Sequence, residues 1–516
     1  MNFFKKDLNI NFIGLLIVGF VAVIINRYYG NLGLFPHDSL SHFESGFRIT
    51  KGFHPFKDFW IVSGPFVDYS QAFIFKVFGI SWNSYILHAS LFNALISCLT
   101  FFIFRLFKIN FYKSLFFSIC FAFLAYPSSG TPFVDHHSTF LSLIGLYCVA
   151  FSIKNDSKLS TFLIPILFFL AFFSKQVPAI YIGLFSIIFF VLYLFLNKRI
   201  NQIVYFFAGF ILAICSLFLI GFLTEIEFDS FIKQYIFYPQ SIASNRFEQF
   251  NISIIGVIVN FKFILISLGV FLFFNITNIK YNDLFKDKNF YFTLLFCILT
   301  LALLFHQILT KNQIFIFFLI PLLLGLSEIN IKNKYVSYFI IFLCLFCTAK
   351  YHERFNEKRK FHELVNVDLS LAKNAELIDK KLKNLKWITP QFSKDPMEEI
   401  DNINYIKKIL KNDNRKKMVL SNYSFLSVLL NEEFYSTTRW HTFDGTDYPM
   451  VGNKYFHSYK NLFLKKIKDN QIQIIYTILP VNNKQVYNVL SPTCFDERKI
   501  NSLVVSFIIK DCKDIN

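Results

Sequence analysis

Long apolar segments recur along roughly the first 350 residues and constrain the fold more than any other feature of the chain. A helix that crosses a bilayer needs about 20 mostly apolar residues. The mean hydropathy of +0.45 and the hydrophobic content of 54% also exceed what a soluble domain can bury. We therefore predict an integral membrane protein with about eleven membrane-spanning helices, near residues 10–27, 81–104, 111–126, 138–153, 159–174, 179–196, 203–223, 255–275, 290–306, 312–327 and 335–349.

Basic residues in the short loops predict how these helices are oriented. The loops on one predicted side contain 14 Lys and Arg residues, whereas those on the other side, apart from the long first loop, contain four. Because basic loops stay in the cytoplasm, the N-terminus is predicted to be cytoplasmic and the C-terminal part to lie outside. The same placement accounts for the net charge of +18 and disfavours nucleic acid as a partner.

The sequence becomes polar after about residue 350, where charged stretches alternate with short apolar runs. We predict helices over residues 356–386, 396–411 and 459–469, and strands over residues 417–421, 471–478 and 502–509. This pattern is typical of a small α/β domain, here over residues 351–516, following a transmembrane catalytic domain over residues 1–350. If that domain lies outside the cytoplasm, Cys494 and Cys512 could form a disulfide.

The loop between the first two predicted spans is dense in acids, histidines and aromatic residues. We predict an interfacial helix over residues 38–51, on which Leu40, Phe43 and Phe47 recur at helical spacing and contact lipid. A second short helix is predicted to begin at Pro65 and to stop at Gly79. The other polar clusters also fall on the predicted outer face, which indicates a reaction at that membrane face.

Asp38 admits two interpretations. At the start of a helix an aspartate can serve as the N-cap, and the neighbouring Ser41 and Glu44 have the spacing of a capping box. Alternatively, a carboxylate near the hydrophobic boundary has its pKa raised toward the working pH, which suits a general base. The residues alone leave both interpretations open.

The motifs of the first loop resemble those of GT-C glycosyltransferases, and most closely bacterial relatives of the protein O-mannosyltransferases and of the lipid A aminoarabinose transferase. The resemblance is carried by His37-Asp38-x3-His42-x3-Gly46-x5-Gly52-x2-Pro55-x2-Asp58-Phe59, by Gly64-Pro65-x2-Asp68-Tyr69, by Ser174-Lys175-Gln176 and by Thr310-Lys311-Asn312-Gln313 with Ile320-Pro321. It implies an inverting transfer of a sugar from a polyprenyl-phosphate donor to a glycan, lipid or protein acceptor. The reaction would take place at the outer face of a bacterial inner membrane.

In this family the acid after the first span is catalytic, and Asp38 occupies that position. Relatives often have a second acid beside the first, but Ser39 follows here, so Glu44 or Asp135 would take any such role. Cations at the outer face would hold the leaving phosphate. The candidates there are Lys175, Arg246 and Lys311, supported by Gln176 and His306, with Lys262 as a further candidate.

Two other groups of residues are candidate ligand sites. Asp135, His136, His137 and His42 have side chains that could bind a divalent metal ion, although a polar helix start explains the first three equally well. In the C-terminal part, Trp440 and Asp444 could bind an acceptor sugar, with a structural turn at Asp444-Gly445 as the alternative. No cofactor is required by any of these patterns.

Two further function classes remain as alternatives. A transporter or flippase of lipid-linked saccharides predicts polar residues at mid-membrane positions in repeated halves, and little internal repetition is present. An O-antigen ligase or polymerase shares the substrate class and differs in the number of phosphates on the donor lipid. The sequence contains no phosphate-binding lysine loop and no dinucleotide glycine fingerprint, which disfavours a nucleotide-dependent enzyme.

Overall fold

The computed structural model describes residues 8–242, 253–279, 281–310, 315–442 and 444–512. The helices of the apolar part are α1 (Leu8–Gly30), α2 (Pro36–Thr50), α3 (Pro65–Phe78), α4 (Trp82–Leu106), α5 (Phe111–Leu124), α6 (Val134–Asn155), α7 (Lys158–Ser174), α8 (Gln176–Leu196), α9 (Ile200–Thr224), α10 (Phe228–Ile232), α11 (Ile254–Ile276), α12 (Lys288–Leu309), α13 (Leu319–Ser327) and α14 (Lys334–His352). The polar part contains α15 (Pro396–Asn412), α16 (Leu426–Leu430), α17 (Phe456–Asp469) and α18 (Lys484–Tyr487), with strands β1 (Lys373–Asn374), β2 (Lys386–Trp387), β3 (Lys417–Leu420), β4 (Ile474–Ile478), β5 (Phe495–Lys499) and β6 (Val504–Ile509).

Eight helices within the described residues are long and apolar enough to cross a membrane, and three shorter apolar helices accompany them. The eight are α1, α4, α6, α8, α9, α11, α12 and α14, and the shorter ones include α5 and α7. A polytopic helical membrane protein with a small sheet near its C-terminus was predicted, and this architecture is confirmed. The predicted break in the 159–196 segment is confirmed too, because α7 ends at Ser174 and Lys175 is extended before α8.

The chain divides into two compact units. The first unit contains Met1–Asn31, Ile86–Phe218 and Phe250–Asn366, and the second contains Leu32–Tyr85, Leu219–Gln249 and Val367–Asn516. The predicted boundary at residue 350 therefore does not coincide with the division into units, because the second unit also contains Leu32–Tyr85 and Leu219–Gln249. The first loop, with α2 and α3, folds together with the C-terminal part of the chain.

In the first unit, α6 is the central helix, since 89% of its most apolar stretch is buried, compared with 17% for that of α9. Phe168 of α7 packs against Gly145 of α6 and Gly183 of α8, where an added Cβ would lie 3.1 and 3.2 Å from the ring. The small residues let the three helices approach closely, as is common between membrane helices. This packing holds α6, α7 and α8 against one another.

The second unit is built on a four-stranded sheet with the order β3-β4-β6-β5. Strands β3 and β4 are parallel, and β6 is antiparallel to both of its neighbours. Three of the strands and the helices α15 and α17 were predicted, whereas β5, which reads Phe-Asp-Glu-Arg-Lys, was missed because it is an exposed edge strand. The disulfide between Cys494 and Cys512 is present, as the sequence suggested.

The first loop is fastened to the C-terminal part of the second unit through backbone and side-chain bonds. Trp60 N donates to Thr437 O at 2.8 Å, Leu34 N donates to Ile388 O at 3.1 Å, and Lys466 pairs with Asp58 at 3.2 Å. Helices α2 and α3 pack against each other through both polar and apolar contacts, such as His42 with Asp68 and Phe43 with Phe75. The loop is therefore an integral part of a folded domain.

This packing corrects one prediction for α2. Leu40, Phe43 and Phe47 were expected to contact lipid, but all three are 0% exposed. The Phe43 ring packs against Trp82 and Tyr85, with centroid distances of 5.9 and 5.2 Å. Every residue from Ser39 to Ile49 is buried, so protein rather than lipid covers this helix on all sides.

The region after α14 corrects a second prediction. Residues 356–386 were expected to be helical, but they form short turns of π- and 3₁₀-helix and the two-stranded β1–β2 ribbon. The side chains of Asp368, Asn374 and Asp379 each accept a hydrogen bond from a backbone N–H two residues later. Such local hydrogen bonds compete with a continuous helix, and here they stabilise short turns instead.

Candidate functional site

Helix α2 presents an acid and an imidazole at its exposed start. The helix begins at Pro36, where the fixed φ of proline suits the first turn, and its N-cap is Phe35. Asp38 lies in the first turn, so the N-cap interpretation of this residue is wrong. Every residue from Ser39 to Ile49 is buried, whereas His37 and Asp38 are partly exposed.

A buried network of charged and polar groups holds α2 in place. Asp68 of α3 accepts hydrogen bonds from His42 Nδ1 at 2.7 Å and from Ser45 Oγ at 2.5 Å. Arg439 Nη1 donates to both Asp68 oxygens at 3.0 and 2.7 Å, and its Nη2 donates to Ser63 O at 2.6 Å. His42 and Asp68 are 0% exposed and Arg439 is 1% exposed.

The network fixes the protonation states of its members. Burial alone raises the pKa of Asp68, but Arg439 and His42 outweigh burial and hold that pKa below its usual value. Burial and the Arg439 charge lower the pKa of His42, so its imidazole is neutral with Nδ1 protonated toward Asp68. Nε2 of His42 is buried without a hydrogen-bond partner among the described residues. Asp68 and Arg439 thus act as an anchor for the helix that carries Asp38.

Glu44 lies on the same helix in a second buried group of charges. Its Oε1 is 3.6 Å from Arg48 Nε, and Arg48 Nη2 is 2.9 Å from Glu433 Oε1. The Arg48 guanidinium also lies 4.2 Å from the centroid of the Phe59 ring. Burial raises the pKa of Glu44 to about 8, although Arg48 opposes this shift. With 3% exposure, Glu44 is placed to link α2 to the C-terminal part of its unit.

Trp440 and Asp444, the predicted acceptor ligands, take part in internal contacts. Trp440 is 8% exposed, stacks on the His37 ring at 5.5 Å and lies 4.1 Å from the Arg439 guanidinium. Its indole Nε1 donates to His37 O at 2.9 Å. Asp444 accepts hydrogen bonds from the backbone N–H and the hydroxyl of Thr446, at 3.0 and 2.7 Å. These contacts favour the structural turn, and they leave little of the indole surface for a sugar.

In the first unit, Asp135, Lys175 and His306 meet at the ends of three apolar helices. Lys175 Nζ lies 2.8 Å from both carboxylate oxygens of Asp135, and His306 Nε2 lies 3.0 Å from Oδ1. Asp135 lies in the first turn of α6, Lys175 lies at the break before α8, and His306 lies in the last turn of α12. Three separately predicted residues therefore form one cluster.

The cluster keeps one cation partly accessible. The Lys175 side chain is 27% exposed, whereas Asp135 and His306 are 9% and 2% exposed. An ammonium group has three N–H donors, and Asp135 accepts two of them. Gln176 is the first residue of α8, next to this lysine. The arrangement can hold an anion without exposing the carboxylate.

The residues predicted as metal ligands do not fit a metal ion. Within the described ranges, no group of three or more His, Cys, Asp or Glu side chains could hold one. His136 contacts Ser128 Oγ at 3.1 Å, whereas His137 contacts Tyr126 Oη at 2.7 Å and His88 Nε2 at 3.1 Å. The fourth predicted ligand, His42, is bonded to Asp68. No step of a reaction is therefore assigned to a metal.

Of the other three predicted cations, only Lys262 lies within the residues that the structure describes. Arg246 and Lys311 lie outside the residues that the structure describes. Lys262 is exposed on α11, with its ammonium 5.5 Å from the Phe263 ring. This position agrees with a side chain that reaches toward the membrane surface.

Sequence reasoning missed the partners that orient α2. Asp68 and Arg439 both belong to stretches that the sequence marked as unusual, but 371 positions separate them. Nothing in a single sequence pairs residues so far apart. Compared with known proteins, the chain matches no family model and no curated protein.

Proposed function

We propose that the protein is an inverting glycosyltransferase of the GT-C type that moves a sugar from a polyprenyl-phosphate donor to a glycan, lipid or protein acceptor. The observation that carries the proposal is the placement of Asp38. Asp38 is a partly exposed residue in the first turn of a helix whose next eleven residues, Ser39 to Ile49, are all buried. A general base must be both fixed and accessible, and this position provides both.

In the proposed reaction Asp38 takes the proton of the acceptor hydroxyl as that oxygen bonds the anomeric carbon of the donor sugar. The bond between the anomeric carbon and the phosphate oxygen breaks, and polyprenyl phosphate leaves with the electron pair. Lys175 is the proposed partner of the phosphate, because its third N–H is available and its side chain is partly exposed. Asp135 and His306 position that lysine.

The proposed setting is the outer face of a bacterial inner membrane, with about eleven spans and the C-terminal domain outside the cytoplasm. The excess of basic residues in the loops on one side supports this orientation. So does the Cys494–Cys512 bond, since disulfides persist mainly in oxidising compartments. The polyprenyl phosphate that carries the donor sugar would then enter the site from the bilayer.

The test is a transfer assay in membrane vesicles from cells that lack their own copy of the protein. Vesicles containing the protein receive the total fraction of polyprenyl-phosphate sugars extracted from source membranes. Mass spectrometry then measures the free polyprenyl phosphate and the envelope glycan to which sugar has been added. We expect Asp38→Asn to slow release by at least about 100-fold, the usual contribution of a general base. Full activity of this variant would refute the proposal.

Asp229→Asn is the matched control. Asp229 belongs to the same unit, but its carboxylate is 69% exposed and pairs with Lys233 one helical turn away. This variant should retain the wild-type rate. Both proteins should reach wild-type levels in the membrane and show the same thermal unfolding temperature, so that a loss of rate reports chemistry. A flippase would move donor lipid equally well in both variants.

A further inference from the structure

His37 is the second partly exposed group at the start of α2, next to Asp38. Its backbone oxygen accepts a hydrogen bond from the Trp440 indole at 2.9 Å, and its ring stacks on that indole at 5.5 Å with an interplanar angle of 27°. The Trp440 side chain thus contacts both the backbone and the ring of His37. This ring is held more tightly than a surface histidine needs to be.

The ring is held, yet one of its two nitrogens is left unpaired. Nδ1 of His37 is buried and has no hydrogen-bond partner among the described residues. Leaving a buried polar atom unpaired destabilises the folded state, so such atoms call for an explanation. Asp447, which is 6% exposed, lies close enough to His37 for the two side chains to interact electrostatically. The imidazole therefore has a polar surrounding and an unused hydrogen-bonding capacity.

A second histidine of the same loop shows the contrast. His54 stacks on Tyr69 with a centroid distance of 5.9 Å and an interplanar angle of 23°. Its Nδ1, however, lies 3.1 Å from Tyr69 Oη, and its backbone N–H donates to Asp58. His54 is satisfied within the fold, which is what a purely structural stacked histidine looks like.

We propose that His37 is a substrate-binding residue of the Asp38 site, whose imidazole hydrogen-bonds a sugar hydroxyl, and that Trp440 is the positioning residue that orients it. This inference rests on the proposed function of Asp38. It assigns the C-terminal segment a part in substrate recognition through His37, while the indole itself does not contact the sugar. The partner is a neutral hydroxyl-bearing substrate.

The experiment separates hydrogen bonding from stacking. His37→Gln keeps an amide that can hydrogen-bond, whereas His37→Phe keeps an aromatic ring that can stack on Trp440. In the vesicle assay with the extracted donor fraction, we expect His37→Phe to slow polyprenyl phosphate release by about tenfold, as for one lost hydrogen bond. His37→Gln should retain most of the rate, and His54→Phe, the matched control, should match the wild type.

A structural role for His37 predicts the reverse order. If His37→Phe keeps the wild-type rate while His37→Gln loses it, the inference is overturned. Asp38→Asn is measured in the same vesicles. If Asp38→Asn is inactive and His37→Phe is fully active, only the role of His37 fails, whereas an active Asp38→Asn variant overturns the proposed function and this inference with it.

Discussion

Replacing Arg439 with methionine tests whether the buried network holds the first loop in place. Methionine keeps much of the apolar stem and removes the guanidinium, which leaves the fully buried Asp68 carboxylate with only His42 and Ser45. Removing one partner of a buried ion pair costs about 3–5 kcal/mol, because the remaining charge stays desolvated. For a unit of this size, that loss corresponds to a fall of about 6–20 °C in unfolding temperature.

The assay is thermal unfolding of the purified full-length protein in detergent. Arg415→Met is the matched control, since Arg415 pairs with Asp413 but is 41% exposed, and an exposed pair contributes about 0–1 kcal/mol. The double variant Asp68→Asn with Arg439→Met should recover about 2 kcal/mol or more relative to Arg439→Met, because no charge is then left unpaired. A loss for Arg439→Met no larger than that for Arg415→Met would refute the reasoning.

Two further predictions concern Glu44 and Lys175. The folded-state pKa of Glu44 is raised to about 8. The contribution of Glu44 to stability is therefore fully present below the ordinary pKa of a glutamate, and it is lost as the pH rises to about 8. The difference in stability between wild type and Glu44→Gln should therefore shift in favour of the variant by up to about 1.4 kcal/mol per pH unit between about pH 5 and 8, measured as unfolding temperature; parallel curves would contradict it. Lys175→Gln removes the accessible ammonium, so the donor concentration for half-maximal polyprenyl phosphate release should rise about tenfold or more; an unchanged value would exclude a role in donor binding.

The membrane helices and the ends of α3 could be predicted because their signals are local. Apolar length marks a span, and Gly64, Pro65 and Gly79 mark helix ends wherever they occur. The helix α2, predicted over residues 38–51, was likewise recognised. The groups that cover α2 could not be predicted, because the position of Phe43 in the sequence is the same whether its neighbour is a lipid chain or Trp82.

The site itself could be predicted only in part. Asp38, Lys175 and Asp135 were candidates on residue type and position, and the structure brings the latter two together at 2.8 Å. The pairing of Asp68 with Arg439 has no local signal, since it depends on how the C-terminal part folds onto the first loop. Residue types can be read from a sequence, whereas distant partners depend on tertiary structure.

The separation of Asp68 and Arg439 has a consequence for how the protein is made. At about 5–20 residues per second, a ribosome needs about 20–70 seconds to synthesise the 371 positions between them. Throughout that interval the first loop lacks the cation that neutralises its buried acid. Nascent chains that stop before residue 439 should therefore carry a protease-sensitive loop, which becomes resistant only when the segment containing Arg439 has emerged.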